Sequence, residues 1–362
     1  MVTLTDADYM ARALFHAARG RGRTSPNPVV GAVVVSAEGV VVGQGYHAAA
    51  GSPHAEIHAL GAAGERARGG TLYCTLEPCT HTGRTGPCGP RIVEAGISRV
   101  VAAVEDPNPL VRGKGFAFLE SKGVRVDVGL GVEPASALNQ PFFSTMRRGR
   151  PFVILKAAIS SDFGIARAPG HRTQLTSVQA NRHAHRVRAE VDAIGVGVGT
   201  VLVDDPLLTP RGVFRASPVT RVVFDRELRT PPSARLLSTR AAGPVIIVTS
   251  AAGAARVDAR RELEVRGADI VIGDGSVTSG VRALAERGVM SLLLEGGAAL
   301  HAAAWDEGVV DLVRLYVTPH VLGDSAVRFL PGRRLPPALL ARQRVQPLGP
   351  DVLIEGYVHG PY

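Results

Sequence analysis

The 362-residue chain carries only three cysteines, Cys74, Cys79 and Cys88. So few exclude a disulfide framework, and thiols kept reduced fit the cytoplasm. Long apolar runs are also missing. The longest, such as "VVGAVVV" at 29–35, are strand-sized, and none approaches the roughly 20 residues that cross a bilayer. The N-terminus, "MVTLTDADYMARAL", has neither the basic region nor the apolar run of a signal peptide. A cytoplasmic protein with no membrane partner is expected. Aromatic residues make up 5% of the chain, and nowhere do they interleave with basic residues into a stripe that tracks single-stranded nucleic acid. No internal repeat occurs, and no low-complexity tract beyond Ala/Gly-rich helix ends.

What is present suffices for about two domains at roughly 100–200 residues each. Hydrophobic residues are 45% of the chain, ample for two cores. The formal net charge of +9 favours anionic partners, either nucleic acid or phosphorylated small molecules. A surface with surplus Arg fits the same number. The basic residues are scattered, with small clusters such as "RRGR" at 147–150.

Periodicity predicts a helix over 5–19, with Thr5 and Asp8 as a capping box and Met10, Ala13, Leu14 and Ala17 on one face. "VVGAVVV" and "GVVVGQGY" predict strands joined at Glu38-Gly39. Helices are expected at "HAEIHALGAAGERA", "RIVEAG" and "GKGFAFLESKG", and strands at "TLYCTLE", "RVVAAVE" and "VRVDVG". This is the alternation of a compact α/β layer. The polar, basic "STMRRGR" at 144–150 marks a boundary, giving domains 1–146 and 151–362. Beyond it come "PFVILKAAIS", a helix over 176–190, "DAIGVGVGT", "TRVVFD", "GPVIIVTS", "ADIVIG" and "MSLLLEGG". Continuous β-branched runs between helices predict a largely parallel sheet covered on both faces.

Two of the three cysteines flank the eight residues "THTGRTGP", and His54 lies upstream in "PHAEIH". His54, Cys79 and Cys88 make three ligands, which leave a tetrahedral zinc one open position for water. Zinc lowers the pKa of that water to about 7. Glu56, two residues after His54, is placed to move the proton. The H-x-E and P-C…C layout is that of zinc-dependent nucleobase deaminases, where the Glu is not a ligand. There the cysteines are usually two residues apart, not eight. A structural zinc site needs four protein ligands. His58, at i+4 from His54, is either a fourth ligand or a solvated helix residue, and we expect the latter. H-A-E-I-H is not H-E-x-x-H, so a metalloprotease is excluded. Cys74, in phase with Leu72 and Leu76, is expected to be a core thiol.

"PNPVVGAVVV", "GYHAAAGSPHAEIHAL", "TLEPCTHTGRTGPC" and "DPNPLVRGKG" together resemble the bifunctional riboflavin-biosynthesis deaminase/reductase family. The resemblance covers nearly the whole chain and is most specific in the first domain. It implies a cytidine-deaminase-like three-layer α/β/α domain followed by a dihydrofolate-reductase-like α/β domain. The implied substrate is a phosphorylated pyrimidine, 2,5-diamino-6-(5-phosphoribosylamino)pyrimidin-4(3H)-one. Its C2 amino group leaves as ammonia, with Zn2+ on His54, Cys79 and Cys88 and with Glu56 as proton shuttle. The ribosyl group of the uracil product is then reduced to ribityl with NADPH. Asn27, His47, His81, Arg84 and Asn108 match polar positions of the deaminase pocket, and His81 and Arg84 suit phosphate. "DAIGVGVGTVLVDDPLLTPRG" and "LLLEGGAALHAAAW" carry the likeness of the second domain. The match puts Ala158, Gln174, Thr200, Asp204, Gly297, Ala298, Ala299 and Leu300 against the cofactor. It puts Arg172, Arg188, Leu208, Arg211 and Glu295 against the substrate, with the arginines on its phosphate. A strand running into two glycines and a helix exposes N–H groups that hold phosphate. A homo-oligomer, dimer or tetramer, is expected.

The second domain departs from the family pattern in places. "SSDFGIA" has Phe163 and Gly164 where the family has Gly and a basic residue. Gln174 stands in place of a cofactor-packing Trp, Arg172 in place of a substrate-binding Ser, and Val198 in place of Ser. Two other readings stay open at this point. In one, the second domain is a degenerate module that only organises a dimer. In the other, the chain is a zinc-containing nucleic-acid-binding protein.

Overall fold

The structure, a computed structural model, describes residues 4–81, 86–335 and 337–359. The chain divides into two compact units, one ending at Arg148 and the other starting at Gly149.

The first unit opens with helix Asp6–Ala18, whose capping box of Thr5 and Asp8 forms as the sequence predicts. Its strands are β1 (Gly31–Val35), β2 (Val41–Tyr46), β3 (Thr71–Cys74), β4 (Arg99–Ala102) and β5 (Arg125–Val128). They form one sheet in the order β2-β1-β3-β4-β5. β1 runs antiparallel to β2 and β3, while β3, β4 and β5 are parallel.

Register shows how helices come to cover both faces. Gly45 pairs with Ala32 and Gly43 with Val34, so these four share one face. A Cβ on Gly45 would lie 2.7 Å from Ala55 O, which places helix Ala55–Ala63 directly on that face. Gly31, Val33 and Val35 point the other way. A Cβ on Gly31 would lie 2.0 Å from Ala13 O, so only glycine lets helix Asp6–Ala18 approach there. Tyr9, Met10 and Ala13 then pack with Val33, Val35, Tyr73 and Val101. The result is three layers, α/β/α.

In the second unit the strands are β6 (Phe152–Ser160), β7 (Gly164–Ala166), β8 (Ala193–Gly197), β9 (Thr220–Phe224), β10 (Val245–Ser250) and β11 (Ala268–Gly273). Then come β12 (Ser291–Gly296), β13 (Leu312–Thr318), β14 (Val327–Arg328), β15 (Ala341–Leu348) and β16 (Asp351–Tyr357). Nine of them form a sheet in the order β11-β10-β9-β8-β12-β6-β13-β16-β15, and β7 pairs with β14 apart from it. Neighbours from β11 to β13 are all parallel. Val153, Leu155, Leu292 and Leu294 enter one core, and Phe152, Ile154 and Leu293 enter the other. Both faces are covered, which explains the unbroken apolar runs.

The two units divide within 144–150, at the end of helix Gln140–Arg148, which buries Phe142, Phe143 and Ser144. The sheet of the second unit ends in an antiparallel hairpin, β15–β16, that the apolar runs did not announce. β15 is exposed along most of its length and reads as polar sequence. Its signal was the Gly349-Pro350 turn.

Candidate active sites

In the first unit, His54 caps the N-terminus of helix Ala55–Ala63 in extended conformation (φ −69°, ψ 162°). Cys79 follows β3, and Cys88 is the first residue of helix Cys88–Glu94. The Gly89 N–H donates to Cys79 O at 2.9 Å, which closes the long loop and brings the two sulfurs to one place. His54 Nδ1 lies 3.2 Å from Cys88 Sγ and 3.6 Å from Cys79 Sγ. All three donor atoms fall within 4.8 Å of one another. A tetrahedron with Zn–N about 2.0 Å and Zn–S about 2.3 Å has an N···S edge of about 3.5 Å. The donor set therefore fits zinc. Among the described residues His58 is exposed on the helix and outside the cluster. Cys74 is a buried core thiol whose Sγ faces Val101 O at 3.8 Å, and burial pushes its pKa well up. Hydrogen bonds from Cys88 and His54 hold the Cys79 thiol down, while Cys88, as the partner, is pushed up.

Glu56 sits in the first turn of the same helix and is 3% exposed. Its Oε2 is buried with no hydrogen-bond partner among the described residues. Burial pushes its carboxyl up to about 7, so it can hold or release a proton near neutrality. The metal cluster opens on a cavity of about 270 Å³. Asn27, His47, His81 and Asn108 all line it, with Phe142 as an apolar wall. Arg84 lies outside the described residues. His47 Nδ1 contacts Pro53 O at 3.2 Å and His47 Nε2 contacts Asn27 Nδ2 at 3.0 Å. A carbonyl only accepts, so Nδ1 carries the proton and Nε2 accepts from the Asn27 amide. That fixes the amide, leaving Asn27 Oδ1 as the acceptor not used by His47.

Two further residues of this cavity lay beyond the sequence reading. Glu77 is 3% exposed, and its carboxylate accepts from the backbone N–H groups of Asp106 (3.2 Å), Gly113 (3.0 Å) and Gly115 (2.8 Å). It ties the cysteine loop to "DPNPLVRGKG". Asp106 is buried in the cavity wall, accepts from Asn108 N at 2.8 Å, and is pushed up to about 7 by burial. The signal for Glu77 was its place next to Pro78-Cys79, but nothing in the spacing told it from a surface acid.

In the second unit the C-terminal ends of three adjacent parallel strands, β8, β12 and β6, carry Ala158, Thr200, Glu295 and 297–300, whereas Arg188 lies on helix Val178–Glu190 and Arg172, Gln174, Leu208 and Arg211 in connecting segments. Thr200 lies in helix Val198–Asp204, directly after β8. β12 ends in Gly296-Gly297, and Ala298, Ala299 and Leu300 begin helix Ala298–Asp306. Gly297 has φ 79°, and a Cβ on Gly296 would come 2.7 Å from Thr200 Oγ1. The junction is thus a cradle that side chains would close, with backbone N–H groups free at the helix start. Ala158 lies near the end of β6. Asp204 has a buried Oδ1 without a partner among the described residues. Burial raises its pKa, against the pull of nearby Arg172, which is exposed. Gln174 is exposed and donates to Thr176 O and Oγ1. Phe163 is 61% exposed, at φ 64°.

Glu295, on β12, is held by Arg188 through two hydrogen bonds (Nε 2.7 Å, Nη2 2.5 Å), and Arg188 Nη1 donates to Thr209 O. Burial alone would raise Glu295, but Arg188 and Lys156 outweigh it and hold the carboxyl at about 2. Lys156 comes from β6, beside β12, with Nζ 5.4 Å from the Tyr316 ring centre. Burial lowers its pKa. This lysine was missed, although a lone Lys inside "FVILKAAIS" was the available signal. Leu208 is buried at φ 52°, and Arg211 is exposed beside His185. A separate cavity of about 690 Å³ lies at the ends of β9, β10 and β11, lined by Arg226, Ser250 and Arg256 among others.

A one-open-position zinc site with a buried carboxyl, joined in one chain to a parallel α/β unit with a phosphate cradle, defines a zinc-dependent deaminase coupled to a nicotinamide-dependent reductase. Comparison with known proteins gives the family. The cytidine and deoxycytidylate deaminase zinc-binding region matches residues 4–104, and the RibD C-terminal domain matches residues 151–354. The riboflavin biosynthesis protein RibD of Aquifex aeolicus is 41% identical over 98% of this chain and 99% of its own. That of Escherichia coli (strain K12) is 38% identical over 97% and 99%. The solved structure of Acinetobacter baumannii RibD superposes with a TM-score of 0.87 at 34% identity, covering 97% of this chain and 98% of that one. A Thermotoga maritima protein, described as a diaminohydroxyphosphoribosylaminopyrimidine deaminase/5-amino-6-(5-phosphoribosylamino)uracil reductase, gives a TM-score of 0.85 at 32% identity. The chain belongs to the RibD family of riboflavin biosynthesis proteins. Its two units have the expected cytidine-deaminase-like and dihydrofolate-reductase-like folds.

Proposed function

We propose that the first unit hydrolytically deaminates 2,5-diamino-6-(5-phosphoribosylamino)pyrimidin-4(3H)-one and that the second reduces the ribosyl group of 5-amino-6-(5-phosphoribosylamino)uracil to ribityl. The carrying observation is the unpartnered, buried Glu56 Oε2 beside the His54, Cys79 and Cys88 donors. Zinc on these three ligands supplies an acidified water. Glu56 Oε2 takes the proton as the water adds to the ring carbon and returns it to the departing amino group. Asn27, held by His47, and Asn108 orient the pyrimidine; His81 and Arg84 are assigned to its phosphate.

NADPH supplies the hydride in the second unit. The Gly296-Gly297 cradle, Thr200 and the helix from Ala298 hold its pyrophosphate, and Ala158, Gln174 and Asp204 complete the contact surface. Arg226 and Arg256 lie two and three strands along from β12, on the same sheet end. We assign these two arginines to the 2′-phosphate on charge grounds, although Glu227 and Asp274 line the same cavity. Arg188 keeps Glu295 ionised beside Lys156, so a carboxylate and an amine stand ready to handle the ribosyl hydroxyls. This intact constellation speaks against a degenerate second unit. The small concave deaminase cavity speaks against a nucleic-acid groove.

Mass spectrometry of products from the diamino precursor, with and without NADPH, tests both steps. The deaminated product is expected without NADPH and the ribityl compound with it. Deamination with no NADPH oxidation would leave only the first step standing. Among the described residues no helix is long and apolar enough to cross a membrane. The three unpaired thiols suit a reducing cytoplasm. The proposal includes a dimer or tetramer, which light scattering measures.

A further inference from the structure

Of the 41 Lys and Arg residues in the chain, only Lys114, Lys122 and Lys156 are lysines. Lys156 is the one lysine of the second unit, which uses arginine for every other cation. Arginine keeps its charge in a protein, whereas an amine can give up its proton and presents a compact charge. What surrounds this amine is therefore informative.

Lys156 and Tyr316 share one face of the sheet. In the parallel pair of β6 and β13, Arg314 lies opposite Lys156 and Tyr316 opposite Ala158, so these four point the same way. Leu155, Ala157, Val313 and Leu315 enter the core on the other side. Helix Val178–Glu190 covers the Lys156 face, where its Ala180 and Ala184 pack with Tyr316 and Leu353. Tyr316 is fully buried, and its hydroxyl lies 2.9 Å from His183 Nδ1 on that helix. The ring is thus packed by small side chains and tied at its far end. Lys156 Nζ sits over the ring, 5.4 Å from its centre, inside the roughly 6 Å at which a π face attracts a cation. On the other side of β6, Glu295 follows Leu294, the partner of Leu155, and so comes level with Lys156.

We propose that Tyr316 is a positioning residue of the reductase, whose ring face seats the Lys156 ammonium beside Glu295 while His183 fixes the ring. This rests on the reductase reading above, in which Lys156 and Glu295 handle the ribosyl hydroxyls. Burial pushes the Lys156 amine down, Glu295 pulls it up, and Arg188 pushes it down again. The ring face adds attraction for the ammonium without a further charge. The other groups around Lys156 do not titrate in the alkaline range. Burial lowers His185 and His301 to about 4. Glu295, despite its burial, is held at about 2 by Arg188 and Lys156. Arg188 and Arg314 keep their charge, the latter tied to Glu355 on β16. Burial pushes the Tyr316 hydroxyl up. An alkaline titration of this cluster is therefore that of Lys156.

The test uses full-length protein labelled with carbon-13 lysine. Its three lysines give separate signals, and Lys156→Met identifies the one that matters. Tyr316 is replaced by phenylalanine, then by ring-fluorinated phenylalanine, which has nearly the same shape and a weaker π face. Circular dichroism and deamination by the first unit verify that each sample is folded. Tyr316→Phe should leave Lys156 titrating close to the wild type. Fluorination should lower that titration by about 0.5–1.5 pH units. The alkaline limb of reductase kcat should move to lower pH with it, while KM for NADPH changes little. A Lys156 titration that fluorination leaves in place would overturn the seat. So would a shift in Tyr316→Phe as large as that from fluorination, because the hydroxyl and not the ring face would then be responsible. A shifted titration with an unmoved kcat profile would overturn the role in the reaction. If the wild type shows no substrate-dependent NADPH oxidation, the reductase reading fails, while the carbon-13 titration still judges the seat.

Discussion

Glu77→Ala should cost the first unit its zinc and its deaminase activity while leaving the reductase intact. Glu77 touches no substrate; it stands two residues before Cys79 and grips three backbone N–H groups of the 106–115 segment at 2.8–3.2 Å. Truncation leaves those donors without an acceptor. An unsatisfied buried donor costs about 1–3 kcal/mol, so three give roughly 3–9 kcal/mol before relaxation. Water entering the vacated space recovers part, and about 3–5 kcal/mol is a reasonable net loss, in the range of broken buried networks. That is a large share of the stability of a domain, typically about 5–15 kcal/mol. The loop holding Cys79 and the segment carrying Asp106 and Asn108 should both loosen. The assay is zinc content of the purified variant, with deamination and NADPH oxidation measured on the same sample. Glu77→Gln should fall between, because its oxygen can still accept while its amide opposes a donor. Wild-type zinc content and deamination in Glu77→Ala would refute the argument that this carboxylate anchors the site.

Glu56→Gln should keep zinc and lose deamination by about 10²–10⁴-fold, the usual contribution of a general acid/base, read by ammonia release. Cys79→Ser and Cys88→Ser should each lose zinc by metal analysis, whereas Cys74→Ser should retain it. His185 and His301 are both buried and lowered to about 4, so each is neutral in the fold and takes up a proton more readily when unfolded. Their contribution is complete above about 6.5 and is lost as pH falls towards 4, at about 1.4 kcal/mol per pH unit for each histidine. Thermal melts should show the second unit weakening over that window, and a flat Tm between pH 6.5 and 4.5 would contradict it. Arg226→Ala should weaken binding of NADPH, followed by fluorescence, with little effect on NADH.

The zinc chemistry was legible because ligand type and order are local facts. His54, Glu56, Cys79 and Cys88 could be named without coordinates, since a catalytic zinc needs three ligands and a nearby carboxyl. The helix over 6–18 and the apolar strands were legible for the same reason, as capping and periodicity act within a few residues. Glu77, Asp106 and Lys156 were not. A buried acid that accepts three N–H groups from a segment some thirty residues away has the same one-letter code as a surface acid.

The sequence by itself determined the donor atoms, the glycine positions and the apolar stripes. Tertiary structure decided which of these meet. Closure of the Cys79–Cys88 loop by the Gly89 N–H sets the N···S distances that suit zinc. Pairing of β6 with β12 brings Lys156 towards Glu295, and the turn of helix Val178–Glu190 commits Arg188 to that carboxylate while Arg182 and Arg186 face outward. An arginine's role depends on whether a carboxylate lies within about 3 Å, and that distance is fixed by packing between segments far apart in the chain, not by its neighbours in sequence.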